Sequence, residues 1–102
     1  MRAVALNYRD ILVVEGHRTW RPAVPRVPAS DGAGEVIAVG EGVTRFQVGD
    51  RVAGVFYPEW IDGPLEPSTM ATLGMGGAKT DGMLSEVRAI HERGLVAIPE
   101  HL

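Results

Sequence analysis

Glycines and polar turn residues beside short β-prone runs constrain the fold of this chain more than any other feature. Asp31-Gly32-Ala33-Gly34-Glu35-Val36 opens a strand, and Val48-Gly49-Asp50-Arg51-Val52 makes a tight turn into another. Asn7-Tyr8-Arg9-Asp10 forms an earlier polar corner, directly after a short run of small and apolar residues. Short strands separated by turns are typical of small barrels rather than strand–helix–strand sheets. The pattern therefore predicts a mostly β domain, built as a small, partly open barrel.

The other elements follow from local periodicity and turn residues. Asp10 is predicted to cap a short helix over residues 11–15, which Gly16 can end in a left-handed conformation. Residues 57–81 have prolines and glycines but no sustained period, which predicts a long irregular loop. The predicted strands cover residues 2–7, 34–39, 51–56, 82–89 and 95–98.

Size and composition exclude several classes of protein. A chain of 102 residues holds one domain at most. Cysteine is absent, which excludes disulfides, thiolate metal sites and cysteine nucleophiles. The net charge is -3 and the basic residues are scattered, so nucleic acid is not an expected partner. No run approaches the roughly 20 apolar residues of a membrane span. We therefore expect a soluble, cytoplasmic chain with no membrane partner.

Several apparent sites have simpler interpretations. Gly74-Met75-Gly76-Gly77-Ala78 lacks the strand before it and the long helix after it that a dinucleotide-binding loop needs, so it is interpreted as a flexible loop. Asp31 and Glu35 would lie about 13 Å apart along a strand, too far to share a proton. Asp31 is therefore assigned to a turn, and Glu35 to solvent or a salt bridge. The histidines are widely spaced and are expected at the surface: His17, His91 and His101.

Five motifs in order carry a resemblance to a known family. They are Asn7-Tyr8-Arg9-Asp10, Asp31-Gly32-Ala33-Gly34-Glu35-Val36, Ala38-Val39-Gly40 with Gly42-Val43, Phe46 with Val48-Gly49-Asp50-Arg51-Val52, and the terminal Leu95 with Ile98-Pro99. The chain resembles the GroES-like, substrate-side domain of medium-chain dehydrogenases and reductases. Zinc-dependent members have a cysteine at the position of Asn7 and a histidine–glutamate pair at Ser30-Asp31. Since Asn7 and Ser30 are poor zinc ligands, the chain is most similar to the zinc-independent, quinone-oxidoreductase-like branch.

The resemblance implies an activity and a set of site residues. Members move a hydride between NAD(P)H and a small-molecule carbonyl, quinone or activated alkene. Asn7 and Tyr8 are the implied catalytic and cofactor-contacting residues, because an amide N–H and a phenol O–H can both donate hydrogen bonds. Asp10, Tyr57 and Trp60 are candidates for the substrate cleft. Asp10 is equally a helix cap, and the two aromatic residues could simply hold the long loop down.

The resemblance also implies missing parts. Members have a nucleotide-binding Rossmann domain, which these 102 residues do not contain, so the isolated chain is expected to be inactive. Members also begin with a strand hairpin before residues 3–6, so we expect an unpaired strand edge and an uncovered core face at the amino-terminal side. The resemblance does not determine the oligomeric state, for which a homo-oligomer is one option. It also does not determine the substrate or the choice between NADH and NADPH.

Two alternatives to an oxidoreductase domain remain. The first is a non-enzymatic, chaperonin-like small barrel that assembles into rings and uses residues 57–81 as a mobile arm. Sedimentation would detect its discrete seven-subunit species. The second is a truncated product with no function of its own.

Overall fold

The computed structural model describes residues 1–72 and 74–102, and its centre is a four-stranded antiparallel sheet. The strands lie in sequence order across the sheet: β1 is Ala3–Ala5, β2 is Asp31–Glu35, β3 is Arg51–Gly54 and β4 is Leu95–Ala97. Because β1 and β4 lie at opposite edges, the sheet is open and is not a closed barrel. The predicted mostly β domain with a partly open architecture is confirmed.

The described helices are short. The helix α1 is Tyr8–Val14 and α2 is Pro67–Met70, and two 3-10 turns cover Arg18–Trp20 and Glu92–Gly94. The helix α2 lies inside the predicted long loop, where Pro67 at its first turn favours a helical start. The same predicted loop contains Leu73, which lies outside the described residues.

One face of the sheet is built from small residues, and Met83 packs against it. The strand register places Gly32, Gly34 and Val52 on this face, together with Gly54. A Cβ atom at Gly32 would lie 2.6 Å from Cβ of Met83, and one at Gly54 would lie 2.8 Å from its Cε. The glycines therefore make the space in which Met83 is only 1% exposed.

The amino-terminal side of this face is open. The strand β1 is an edge strand, and a groove of about 830 Å³ lies along the sheet face that Met83 only partly covers. Its apolar lining includes Val36, Val43, Val52, Val87, Ile90 and Leu95. The edge and the groove match the expected unpaired strand and uncovered core face. Among the described residues, those that line the groove do not include Asn7 or Tyr8. The site predicted around Asn7 and Tyr8 therefore lies outside this groove.

The strand predicted over residues 34–39 begins too late in the chain. In the structure β2 starts at Asp31, because residues 31–33 pair with β1. Val36 still exchanges backbone hydrogen bonds with the following turn, through the Val36 N–H to the Asp50 carbonyl at 2.9 Å and the Gly49 N–H to the Val36 carbonyl at 2.8 Å. Beyond it the chain leaves the sheet: residues 37–39 form no strand, and Ile37 is 63% exposed.

The strand predicted over residues 82–89 is wrong. The backbone N–H groups of Gly82 and Met83 donate to the carbonyls of Val27 and Ala29, at 2.6 and 2.8 Å. The Ser85 N–H then donates back to the Met83 carbonyl at 2.8 Å, which turns the chain. The backbone N–H groups of residues 82–85 therefore bond to residues 27–29 and within the segment, and the Glu86 carbonyl accepts from the amino terminus of Met1. The remaining predicted strands are confirmed in shortened form as β1, β3 and β4.

Candidate active site at the start of the first helix

Asn7 is the N-cap residue of α1, with an extended backbone (φ −121°, ψ 155°). Its side-chain amide donates a hydrogen bond to Oδ2 of Asp31 at 2.6 Å. Asp31 is the first residue of β2, which corrects its assignment to a turn. The Asn7–Asp31 bond therefore joins the start of the helix to the start of a central strand.

Asp10 lies at the third position of the helix rather than at its cap. The predicted helix over residues 11–15 is wrong at its start, since α1 begins at Tyr8. The Asp10 carboxylate accepts a hydrogen bond from the Asn7 backbone N–H at 2.8 Å, which is one half of a capping box. Asp10 is only 7% exposed, and its place in a substrate cleft stays a prediction. The helix ends as predicted, with Gly16 at a φ of +68°.

Asn7 and Tyr8 present polar groups to solvent at this corner. Tyr8 is 75% exposed, and Asn7 is exposed as well. An amide group has two N–H donors and one carbonyl acceptor, and Asp31 takes one of the donors. The second amide N–H and the Tyr8 hydroxyl are therefore the donors that the corner can offer to a ligand.

Arg9 points the other way, into the protein. Its guanidinium donates to Oγ of Ser30 at 3.2 Å and to the carbonyl of Met75, at 3.1 Å from Nη1 and 2.6 Å from Nη2. It also lies over two aromatic rings, 5.6 Å from the centroid of Trp20 and 4.7 Å from that of Phe56. Arg9 thus holds together parts of the chain that are far apart in sequence.

Burial lowers the pKa of the Arg9 guanidinium from its usual value. Electrostatic interactions with nearby groups, first with Asp10 and then with Tyr57 and Asp31, act on the pKa of Arg9 in the opposite direction. The pKa of an arginine is high enough that the group stays charged at neutral pH. A guanidinium that stays charged at neutral pH therefore lies on the interior side of the corner.

Tyr57 and Trp60 lie in the loop that follows β3. The Tyr57 ring packs edge-on against Phe56, with 4.6 Å between ring centroids, and so belongs to the aromatic surroundings of Arg9. The indole of Trp60 is 46% exposed and donates to the carbonyl of Gly63 at 3.1 Å, within its own loop. Their contacts are those of loop packing, and a part for either residue in a substrate cleft stays a prediction.

The glycine-rich segment 74–77 is held down instead of standing open. Its residues are buried, and Met75 is only 2% exposed. A Cβ atom at Gly74 would lie 2.5 Å from Cε1 of Phe56, and one at Gly76 would lie 2.6 Å from the Ala29 carbonyl. The flexible loop that the sequence predicts is therefore a closely packed part of the core beneath Arg9.

The ionisable side chains give no sign of a metal cluster in the described part of the chain. Over residues 1–72 and 74–102, no three His, Cys, Asp or Glu side chains are grouped so that they could hold a metal ion. All three histidines are exposed, as predicted. Of the two alternatives for Glu35, solvent or a salt bridge, the structure shows a salt bridge to Arg2 at 3.1 Å.

Sequence reasoning missed Arg9, Ser30 and Met75. In the sequence, Arg9 is the third residue of the polar corner, and roles are assigned only to its neighbours Asn7, Tyr8 and Asp10. Its partners lie 21 and 66 residues further along the chain. One available signal was an arginine beside the apolar residues of a short helix, together with several aromatic residues elsewhere that could stack on it.

Comparison with known families places this corner in a wider context. The family described as the alcohol dehydrogenase GroES-like domain matches residues 1–100. The chain belongs to this family. The match extends over all four strands and over α1 with its N-cap residue Asn7.

Individual relatives agree with the family. A zinc-type alcohol dehydrogenase-like protein of Schizosaccharomyces pombe is 35% identical over 102 residues, which are all of this chain and 29% of the relative. A quinone oxidoreductase of Pseudomonas aeruginosa is 37% identical over 99 residues, covering 97% of this chain and 23% of the relative. A solved Sinorhizobium meliloti 1021 protein named as an alcohol dehydrogenase is 48% identical, with a TM-score of 0.84 over 97% of this chain and 29% of its own.

The coverage of the relatives and the character of the helices complete the comparison. This GroES-like domain spans less than a third of each of these relatives. None of the helices in the described ranges has the length and apolarity needed to cross a membrane.

Proposed function

We propose that this chain is the substrate-side domain of an oxidoreductase that moves a hydride between a nicotinamide cofactor and a carbonyl, quinone or activated alkene. The observation that carries the proposal is the exposed pair Asn7 and Tyr8 at the start of α1, with Asn7 held by Asp31. Family membership supports the reaction class, since relatives are named as alcohol dehydrogenase-like proteins and quinone oxidoreductase. We place the nucleotide-binding domain in the remainder of a longer protein that contains this sequence.

The proposed chemistry rests on hydrogen-bond donation. When bound, a nicotinamide cofactor supplies or accepts the hydride. Negative charge builds on the oxygen of a carbonyl or enone as the hydride adds, and preorganised donors stabilise that charge. The Tyr8 hydroxyl and the second amide N–H of Asn7 are the donors assigned to this task. Asp31 restrains the Asn7 amide, so that its orientation is set before the substrate arrives.

We further propose that the reaction does not use zinc. The amide of Asn7, the phenol of Tyr8 and the hydroxyl of Ser30 are not the cysteine, histidine and carboxylate ligands that hold zinc. The relatives include both a zinc-type protein and a quinone oxidoreductase, so similarity alone favours neither branch. The donor types at the corner support the zinc-independent one.

The test uses a longer protein that contains this sequence, and follows the oxidation of NADH and NADPH with quinones, enones and aldehydes. Turnover is expected with one of these acceptor classes, and it should survive chelator treatment without stoichiometric zinc in the sample. Asn7→Ala and Tyr8→Phe should each lower kcat by about 10²-fold, the usual effect of removing one such donor. Glu100→Gln, at an exposed position near the carboxyl end, serves as the matched control.

Two outcomes would reject the proposed function or its zinc-independent part. No turnover with any acceptor and either cofactor would reject the oxidoreductase proposal. Turnover that disappears with the chelator and returns with zinc would reject the zinc-independent part alone. The isolated 102-residue chain should show no turnover, since it would lack the cofactor-binding domain.

A further inference from the structure

Arg9 connects the polar corner to the rest of the molecule. It is the residue after Tyr8 in α1, and its guanidinium reaches the start of β2 through Ser30 Oγ at 3.2 Å. The same group reaches the segment 74–77 through the Met75 carbonyl at 2.6 Å. Asn7 is tied to the residue after Ser30 by its bond to Asp31. Two adjacent residues, Ser30 just before β2 and Asp31 at its first position, therefore receive two side chains from the start of the helix.

The two connections differ in burial. Asp31 is exposed, so its bond to Asn7 competes with water. Ser30 is 3% exposed, Met75 is 2% exposed and Arg9 itself is half-buried, so the contacts of Arg9 are better shielded from water than the Asn7–Asp31 bond. Shielded, charge-assisted hydrogen bonds are the stronger kind. The position of the helix start is therefore fixed mainly from the inside.

Arg9 also contacts the segment 74–77 indirectly, through Phe56. The Met75 N–H donates to the Phe56 carbonyl at 2.8 Å, while the Phe56 ring packs beneath the guanidinium at 4.7 Å. A planar guanidinium can stack on the rings of Phe56 and Trp20 and donate in its own plane at the same time. The ammonium of a lysine offers no such plane, so a positive charge alone would not reproduce this set of contacts.

We propose that Arg9 is a positioning residue: it locks the segment 74–77 and the start of α1 into one arrangement, and thereby orients Asn7 and Tyr8 for hydride transfer. The second half of this inference rests on the proposed function, and the first half does not. A donor held in place acts in the transition state, so its displacement lowers kcat more than it weakens cofactor binding.

The first arm of the test is amide hydrogen exchange on the 102-residue chain. Arg9→Met and Arg9→Lys should each raise the exchange rate of the Met75 amide at least about 10-fold, while the Val36 amide in the sheet keeps its protection. Arg2→Met is the matched control, because the Arg2 side chain is 77% exposed. Wild-type exchange at Met75 in both Arg9 variants would overturn the inference. If Arg9→Met does not fold, Arg9→Lys decides.

The second arm is kinetic and uses a longer protein that contains this sequence. Arg9→Lys should lower kcat at least about 10-fold and change the KM for the nicotinamide cofactor less than about twofold. Combining it with Tyr8→Phe should lose less activity than the product of the two single losses, because part of the effect of Arg9 is exerted through Tyr8. Losses that multiply would mean that Arg9 acts separately and would overturn the positioning of Tyr8.

The two experiments distinguish a failure of the proposed function from a failure of the positioning role of Arg9. If the unmodified longer protein shows no turnover, the proposed function fails, and the exchange arm still decides whether Arg9 holds the segment 74–77. If turnover is present and exchange at Met75 is unchanged in the Arg9 variants, the positioning inference fails while the proposed function stands.

Discussion

The side-chain amide of Asn7 donates to the carboxylate of Asp31 at 2.6 Å, across 24 residues of sequence. This bond makes the exposed corner a defined part of the fold instead of a free helix end. It also connects the residue at the start of α1 to the strand that pairs with both β1 and β3. The geometry of the proposed donors is therefore coupled to the centre of the sheet.

The coupling between these two residues can be measured. In a double-mutant cycle, Asn7→Ala and Asp31→Ala should show a coupling free energy of about 0.5–1.5 kcal/mol, the usual range for a hydrogen bond in a protein. Urea unfolding of the four variants provides the values. The exposed Arg2–Glu35 pair serves as the comparison and should couple by less than about 1 kcal/mol. A coupling near zero for Asn7 and Asp31 would mean that water replaces the bond.

Met83 should be among the most sensitive side chains to truncation. It is 1% exposed and lies against the glycine-lined face of the sheet. Met83→Ala should lower the free energy of unfolding by about 2–5 kcal/mol, because it removes buried surface and leaves a cavity. Leu84→Ala is the matched control at a residue that is 52% exposed, and it should cost much less. Equal losses at the two positions would contradict this description of the core.

Gly82 should not tolerate a side chain. A Cβ atom there would lie 2.1 Å from the Ala29 carbonyl oxygen and 2.3 Å from that of Pro28, and these atoms belong to the backbone. The Gly82 N–H also donates to the Val27 carbonyl, so the chain cannot move away without breaking its own bonds. Gly82→Ala should lower the free energy of unfolding by about 3 kcal/mol or prevent folding.

Gly40 provides the control for this substitution. A Cβ atom at Gly40 would meet nothing within 4 Å. Gly40→Ala should change the free energy of unfolding by about 0.5 kcal/mol or less in thermal or urea unfolding. If the two alanine variants were equally stable, the close approach of residues 82 and 29 would be refuted.

Glu92 should make stability depend on pH in the acidic range. Its carboxylate accepts hydrogen bonds from the backbone N–H groups of Arg45 and Thr44, at 2.9 and 3.1 Å, and these bonds lower the pKa of Glu92. A carboxyl whose folded pKa is lowered stabilises the fold above its unfolded pKa, and this contribution disappears as the pH falls through the folded pKa. Wild type should therefore be more stable than Glu92→Gln at neutral pH.

The measurement is urea unfolding of wild type and Glu92→Gln from neutral pH down to acid. The difference in the free energy of unfolding should be constant while Glu92 is ionised in both states, and should shrink at pH values below the ordinary 4.5. A difference that does not change with pH would show that the carboxylate charge is not what stabilises the loop.

Local turn chemistry made parts of the fold predictable. Gly49, with a φ of +97°, and Asp50 turn the chain into β3 as their sequence indicates. Gly94 ends the 3-10 turn that comes directly before β4. The start of α1 was predicted three residues too late, because both Asn7 and Asp10 are residue types that favour helix starts. Only the bond from the Asn7 backbone to the Asp10 carboxylate in the folded chain distinguishes the cap from the third position.

The sequence by itself determined the mostly β class, the family motifs, the polar types of Asn7 and Tyr8 and the surface position of the histidines. Tertiary structure decided which strand β2 would pair with, that residues 82–89 would form no strand, and that Arg9 would meet Ser30 and Met75. The physical reason is the range of the interactions. Caps and turns depend on neighbours a few residues away, whereas these contacts form only after the chain has folded distant segments together and excluded water from between them.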